Sequence, residues 1–157
     1  MTRVVWLPSM SVGIDKWDSD HKILLELINR LDEALHGDVG PELVLRAIDA
    51  LDAYAKIHFS IEERVMQTLH YPRFASHKAE HDSMRLWIAE RRALAEAGNP
   101  TQLLPDMAEQ LVHWLYTHIL TIDMQYCEFF DERRRKLGSL LADYKGLALD
   151  GQDPDGA

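Results

Sequence analysis

Apolar residues recur at helical spacing in four long blocks of the chain, and this periodicity restricts the possible folds more than any other feature. No stretch shows the sustained alternation that marks a half-buried strand. The blocks predict helices over about 19–36, 41–69, 73–97 and from after Pro105 to about Leu137. Because the connections are short, successive helices should be antiparallel. The sequence therefore predicts an all-α fold, an up-down-up-down antiparallel four-helix bundle with its apolar stripes turned inward.

The two ends of the chain lie outside these blocks. Residues 1–17 should form an N-terminal arm that packs on the bundle, and Asp18 or Ser19 should cap the first helix. Residues 138–157 should form a C-terminal extension, with a short amphipathic helix followed by a polar tail. We therefore expect a bundle domain over 1–137 and an extension over 138–157 that could engage a protein partner.

The composition excludes several classes of protein. The 157-residue chain has a net charge of -9 and no basic patch interleaved with aromatic residues, so nucleic acid is not an expected partner. No apolar run approaches the roughly 18 residues that would span a bilayer, and the apolar run near the start is too short for a secretory signal. These features predict no membrane insertion and a cytoplasmic location. Cys127 is the only cysteine, so a bound metal would need nitrogen and oxygen ligands.

Histidines and acids are spaced so that they project from the inner faces of several helices. His58 and Glu62 lie four residues apart, as do His77 and His81, and such pairs share one face of a helix. Only a short turn separates the two pairs, so they should face each other at similar depth. The first helix adds His21, and the fourth adds two more side chains, His118 and Asp123.

Burying five histidines and two acids without partners would cost several kcal/mol for each group. A metal removes this difficulty, because imidazoles and carboxylates suit two first-row ions bridged by both carboxylates, and iron is the expected identity. His118 and Asp123 fit less simply, because five residues on an ideal helix correspond to about 140° of rotation. Either Asp123 reaches the metals from the flank, or a local wide turn reorients it.

The segments YAKIHFSIEERVM, YPRFASHKAEH and LVHWLYTHILTID, together with His21, resemble the hemerythrins, specifically the single-domain bacterial hemerythrins. The resemblance extends from about Trp6 to about Phe130, most of the chain. It implies two non-heme iron ions with a bridging oxo or hydroxo group. One iron would be bound by His77, His81 and His118, the other by His21 and His58, and Glu62 and Asp123 would bridge them.

The resemblance also implies an open position on the second iron, where dioxygen binds. Apolar side chains should shield this position from water, and the candidates for that pocket are Trp114, Leu115 and Met66. Tyr54, one turn before His58, could be a core aromatic, a hydrogen-bond donor near the ligands, or both. His36, His70 and His113 are predicted to lie outside the site.

Three functions remain open at this point. The leading interpretation is reversible dioxygen binding for transport, storage or delivery by a protein that is not an enzyme. The alternatives are an oxygen or redox sensor and a di-iron enzyme that acts on peroxide or nitric oxide. Five histidines to two acids favour reversible binding, because oxidative di-iron centres usually contain more carboxylates. A monomer or weak oligomer is expected.

Overall fold

The computed structural model describes residues 3–144, and no strand occurs among them. The helices are α1 Asp15–His36, α2 Pro41–Thr68, α3 Phe74–Ala97, α4 Pro100–Leu103, α5 Met107–Thr121, α6 Cys127–Asp131 and α7 Arg134–Ala142, and Pro8–Met10 and Asp123–Tyr126 are 3-10 helices. The four long helices α1, α2, α3 and α5 form the predicted bundle. α1 packs against α2 and α5, and α2 packs against α3. The fold predicted from the apolar periodicity is confirmed.

The apolar stripe of each long helix is buried in one continuous core. In α1 the stripe includes Leu24, Ile28 and Leu31, which are at most 3% exposed, and α2 contributes Ile48 and Leu51 in the same way. Each fully buried side chain of this size stabilises the fold by about 1.5–3 kcal/mol. The bundle therefore has an apolar core of its own on which a polar cluster can be supported.

The turn between α2 and α3 sets the alignment of the two histidine-bearing helices. α2 ends at Thr68, and His70 takes a left-handed backbone conformation with φ +56°. The backbone N–H of Tyr71 then donates to the carbonyl of Met66 at 2.8 Å, which closes the turn before Pro72. Because the reversal is so short, the last turns of α2 lie opposite the first turns of α3.

α1 begins earlier than predicted, at Asp15 and not beside Asp18 or Ser19. The Asp18 carboxylate has another role, because it accepts hydrogen bonds from the Ser11 hydroxyl at 2.5 Å and from the Val12 backbone N–H at 2.9 Å. The prediction that Asp18 caps α1 was therefore wrong. Its carboxylate instead holds the N-terminal arm against the first turn of α1.

The N-terminal arm packs on the bundle through hydrogen bonds as well as apolar contacts. The buried Asn29 side chain accepts from the Val4 backbone N–H and donates to the Val4 carbonyl, both at 2.8 Å. The Tyr116 hydroxyl donates to the Val5 carbonyl at 3.1 Å, and Trp6 stacks near His21 with ring centroids 6.5 Å apart. The arm therefore covers the start of α1 and His21 with it.

The prediction of one continuous fourth helix up to Leu137 was wrong. The chain forms α5, a 3-10 turn, α6 and α7 in succession, and α7 continues past Gly138. The segment bends after Thr121 because it also packs on the start of α1: Tyr126 and Phe130 are buried against Trp17, with ring centroids 5.0 and 5.2 Å apart. Of the predicted extension, residues 145–157 lie outside the described residues, and the domain boundary at 137 stays a prediction.

α4 was not predicted, although the sequence carries its signals. The Asn99 side chain accepts a hydrogen bond from the backbone N–H of Thr101 at 3.1 Å, and Pro100 occupies the first helical turn. A capping residue followed by proline is a helix-start signal. The segment that ends α3 is therefore followed at once by a short helix that leads into α5.

Candidate metal centre

The structure brings all seven predicted ligand side chains to one place in the bundle interior. Four helices and one 3-10 turn contribute them, and each residue is at most 4% exposed. They are His21 on α1, His58 and Glu62 on α2, His77 and His81 on α3, His118 on α5, and Asp123 at the start of the 3-10 turn. The four-residue spacing on α2 and α3 thus places the pairs as predicted.

Glu62 lies between imidazoles from two helices. Its Oε1 atom is 2.8 Å from Nε2 of His77 and 3.4 Å from Nε2 of His81. Its Oε2 atom is 3.5 Å from Nε2 of His58 on its own helix. One carboxylate therefore faces histidines of α2 on one side and of α3 on the other.

Asp123 occupies a similar position from the opposite wall. Its Oδ1 atom lies 3.0 Å from Nε2 of His118 and 3.1 Å from Nε2 of His77, and its Oδ2 atom lies 3.3 Å from Nε2 of His21. Of the two predicted alternatives, the wide turn was wrong, since the backbone bends at Ile122 and then tightens into a 3-10 turn. This change of direction turns Asp123 toward the other six side chains.

Two groups of side chains share Glu62, and within each group the candidate ligand atoms lie within 4.8 Å of one another. The smaller group contains His21, His58 and Glu62. The contact between Asp123 and His21 links the two groups a second time. The larger group contains Glu62, His77, His81, His118 and Asp123. The arrangement offers two adjacent cation positions with both carboxylates between them.

The close contacts between the carboxylates and the imidazoles of this cluster are not hydrogen bonds, which tests whether the residues fit a metal. Glu62 Oε1, both carboxylate oxygens of Asp123 and Nε2 of His77 are buried and have no hydrogen-bond partner among residues 3–144. Nε2 of His81 and Nε2 of His118 face each other at 3.1 Å. Each unsatisfied buried group costs about 1–3 kcal/mol, whereas cations between the nitrogens and oxygens would satisfy all of them. This donor set fits first-row metal ions.

Among the protein groups alone, the carboxylates are held in their ionised form. Burial and the nearby Asp123 charge act to raise the pKa of Glu62, but the imidazoles of His77 and His58 outweigh them and keep it below its ordinary value. Burial likewise opposes ionisation of Asp123, and the surrounding imidazoles hold its pKa well below the ordinary range. Both acids are therefore already charged as a metal ligand requires.

The imidazoles of α3 differ in their charge. Burial lowers the pKa of His77, but the carboxylates of Asp123 and Glu62 outweigh it and raise the pKa to about 9. For His81 burial dominates, and the pKa falls to about 4 although Glu63 is hydrogen-bonded to the ring. His77 is therefore protonated, and its positive charge balances the two carboxylates in the absence of a metal cation. His81 is neutral.

Sequence reasoning missed three polar contacts that surround the cluster. The Nδ1–H of His58 donates to Asp20, the Nδ1–H of His81 donates to Glu63, and the Tyr126 hydroxyl donates to Glu62 at 3.0 Å. Asp20 precedes the ligand His21 directly and Glu63 follows the ligand Glu62 directly, which was the available signal. Adjacency in the chain points to both acids but does not show that they contact these rings, because the contacts depend on how neighbouring helices align.

Tyr54 is both a core aromatic and a hydrogen-bond donor near the ligands, the last of the three predicted alternatives. Its hydroxyl donates to Oδ1 of Asp20 at 2.8 Å, and its ring is part of the packing around the core. Burial and the bond to Asp20 raise its pKa, so the hydroxyl keeps its proton. The donor acts through Asp20 and not on a ligand directly.

Aromatic rings and an apolar cavity lie on one side of the cluster. Phe59 stacks on His81 with centroids 4.1 Å apart, and Trp114 stacks on His118 at 4.5 Å. A cavity of about 20 Å³ is lined entirely by apolar residues, including Phe59, Trp114 and Leu115. Met66, the third predicted pocket residue, is fully buried but does not line this cavity. Phe59, directly after His58, was not predicted.

The remaining histidines and the cysteine lie outside the cluster. His36, His70 and His113 are exposed and belong to neither ligand group, which agrees with their exclusion. Cys127 is half-buried, and burial together with the charge of Asp123 raises the pKa of its thiol to about 11. The thiol is therefore protonated and weakly nucleophilic.

A helical bundle that encloses five imidazoles and two shared carboxylates defines a class of protein with a non-heme dinuclear metal centre. A model of one such family, described as the Hemerythrin HHE cation binding domain, matches residues 12–129, the greater part of the chain. The chain belongs to the hemerythrin family, whose domain binds a non-heme di-iron centre. The family predicted from the sequence is confirmed.

Individual relatives agree with this assignment. The chain is 30% identical over 128 residues to a bacteriohemerythrin of Stenotrophomonas maltophilia, covering 82% of each protein. It is 34% identical over 113 residues to a bacteriohemerythrin of Methylococcus capsulatus, covering 69% of this chain and 82% of that one. A crystal structure of wild-type hemerythrin superposes with a TM-score of 0.72 at 27% identity and covers 80% of this chain and 95% of its own.

Within residues 3–144, no helix is both long and apolar enough to span a bilayer.

Proposed function

We propose that the protein binds dioxygen reversibly at a di-iron centre held by the seven clustered side chains. The observation that carries this proposal is the donor set: five imidazoles and two ionised carboxylates surround two adjacent cation positions in a buried pocket. Many nitrogens and few oxygens favour reversible binding over strongly oxidising chemistry. When bound, the two iron ions supply electrons to dioxygen and recover them when it leaves.

The contacts support a division of the ligands between the two ions. We assign His77, His81 and His118 to one iron, and His21 and His58 to the other. Glu62 and Asp123 each contact imidazoles of both sets, which supports a bridging role for both carboxylates. With this assignment the second iron would have one imidazole ligand fewer than the first. We therefore propose that dioxygen binds on the side of His21 and His58.

Apolar residues next to the ligands keep water away from the site. The cavity lining includes Leu24, Ala55 and Leu115, which lie three residues from His21, His58 and His118 respectively. An apolar cavity of about 20 Å³ suits a small gas molecule and does not suit an organic substrate. This size supports a carrier, store or delivery protein for a small gas over an enzyme that acts on an organic substrate. A cytoplasmic location and a monomeric or weakly associating state are part of the same proposal.

The experiment is an oxygen cycle on the iron-loaded protein. The protein is reduced without air, dioxygen is admitted and then removed, and the ligand-to-iron charge-transfer absorption is followed throughout. We expect a band that appears with dioxygen, disappears on its removal and returns over repeated cycles, and we expect no band in chelator-treated protein. Immediate and irreversible passage to the ferric spectrum would contradict the proposal and would favour a sensor or an oxidising enzyme.

A further inference from the structure

Two carboxylates outside the ligand set each accept a hydrogen bond from a proposed ligand. Nδ1 of His58 lies 3.0 Å from Oδ2 of Asp20, which is 38 positions away in the chain. Nδ1 of His81 lies 2.9 Å from Oε1 of Glu63, 18 positions away. Both contacts meet hydrogen-bond geometry, unlike the contacts of Glu62 and Asp123 with the Nε2 atom of His77. They therefore orient the rings, with Nε2 facing the cluster.

The other three histidines of the cluster lack this support. Nδ1 of His21, His77 and His118 is buried and finds no hydrogen-bond partner within the part of the chain that the structure describes. The two supported rings are divided between the proposed iron positions, since His58 belongs to one set and His81 to the other. Each position therefore has a single carboxylate-backed imidazole.

Each backing carboxylate is also paired with one cation near the surface. Lys16 Nζ lies 2.6 and 2.7 Å from the two oxygens of Asp20, and Arg85 Nη1 lies 2.7 Å from Oε1 of Glu63. The side chains of Asp20 and Glu63 are 3% and 12% exposed, so both charges are close to the buried cluster. The cation moderates how much negative charge each imidazole receives.

We propose that Asp20 and Glu63 are positioning residues that set the reduction potential of the centre, one at each iron. The proposal rests on the ligand assignment made above. A carboxylate that accepts the Nδ1–H fixes the ring orientation and makes the imidazole a stronger donor through Nε2. Stronger donation and added negative charge favour the ferric state, so each carboxylate lowers the potential. Lys16 and Arg85 oppose this effect.

The test uses charge-neutral substitutions of nearly the same shape. Asp20→Asn and Glu63→Gln should each move the reduction potential of the iron-loaded protein to a more positive value while two irons remain bound. Lys16→Met should move it to a more negative value, because the Asp20 charge is no longer compensated. Asp38→Asn, an exposed change of the same charge on a connecting segment, is the matched control and should leave the potential unchanged. Equal potentials for Asp20→Asn, Glu63→Gln and the control would overturn the proposal, as would a positive shift for Lys16→Met.

A second measurement needs no iron and so separates this proposal from the proposed function. In nitrogen-15 NMR of chelator-treated protein, hydrogen-bonded Nδ1–H signals of His58 and His81 are expected. Asp20→Ala should remove the first and Glu63→Ala the second, and loss of neither would overturn the positioning role. If the NMR result holds but the oxygen cycle fails, the proposed function is wrong and the contacts stand.

Discussion

His118 and Asp123 contact each other across a helix end, with Nε2 and Oδ1 separated by 3.0 Å. The backbone N–H of Ile122 closes the last turn of α5 on the carbonyl of His118 at 2.8 Å, and a 3-10 turn begins at the next residue. On one unbroken helix the two side chains would diverge by about 140°. The position of this carboxylate therefore depends on the backbone bend and not on the length of its side chain.

The first prediction follows from that bend. In Asp123→Glu the carboxylate is kept, but the added methylene has no room because Asp123 is fully buried among imidazoles. Overpacking of this kind costs about 1–3 kcal/mol and displaces the oxygens. We expect fewer than two irons per chain by elemental analysis. Asp131→Glu, the same change on an exposed residue of α6, should retain both irons, and full iron content in Asp123→Glu would argue against the proposed bridging role.

The second prediction concerns the apolar wall of the cavity. Leu115→Ala enlarges a space that begins one turn before His118, and it should destabilise the protein by about 2–5 kcal/mol. It should also speed the irreversible oxidation of the reduced protein, because water gains access to the ligands. Leu111 lines the same cavity one turn further from His118. Leu111→Ala should destabilise the protein to a similar extent but have a smaller effect on the oxidation rate. Stopped-flow absorption and urea unfolding measure the two effects, and equal oxidation rates would count against the shielding role.

The third prediction is a pH dependence of the chelator-treated protein. The pKa of His77 is raised from 6.5 to about 9 in the folded chain, so folding binds this proton more tightly than the unfolded chain does. The resulting stabilisation is complete below pH 6.5 and is lost as the pH rises toward 9. The urea midpoint should therefore fall over that range, and His77→Gln should flatten the decline. A midpoint that rises from pH 6.5 to 9 would contradict the assigned charge.

The fourth prediction compares two attachments of the N-terminal arm. Asn29→Ala removes both hydrogen bonds to Val4 from a buried site and should cost about 1–3 kcal/mol, with faster amide exchange in the arm. Arg3→Ala removes ion pairs with Glu26 and Glu33 that are largely exposed, and it should cost less than about 1 kcal/mol. If Arg3→Ala proved the more damaging change, the arm would be held by charge and not by the Asn29 contacts.

The sequence was sufficient for the features that depend on local periodicity. Apolar stripes gave the four long helices, and four-residue spacing placed His58 with Glu62 and His77 with His81 on inner faces. These predictions succeeded because residues four apart on a helix share a face whatever the tertiary structure. The break after α5 could not be found in the same way, since no glycine or proline marks it and the packing of Tyr126 against Trp17 produces it.

Side-chain contacts between different helices could not be predicted from the sequence either. Asp20 meets His58 only because α1 and α2 have a particular axial alignment, and Glu63 meets His81 for the same reason on α2 and α3. Hydrophobic patterning fixes which faces meet but not the axial alignment to within a hydrogen-bond length. For this reason the ligands could be predicted and the carboxylates behind them could not.

We propose above all that these seven side chains hold two iron ions. Anomalous diffraction at the iron absorption edge, recorded from crystals of the iron-loaded protein, measures this directly. We expect two peaks per chain, one beside His77, His81 and His118 and one beside His21 and His58, both in contact with Glu62 and Asp123. A single peak, or peaks outside this cluster, would contradict it.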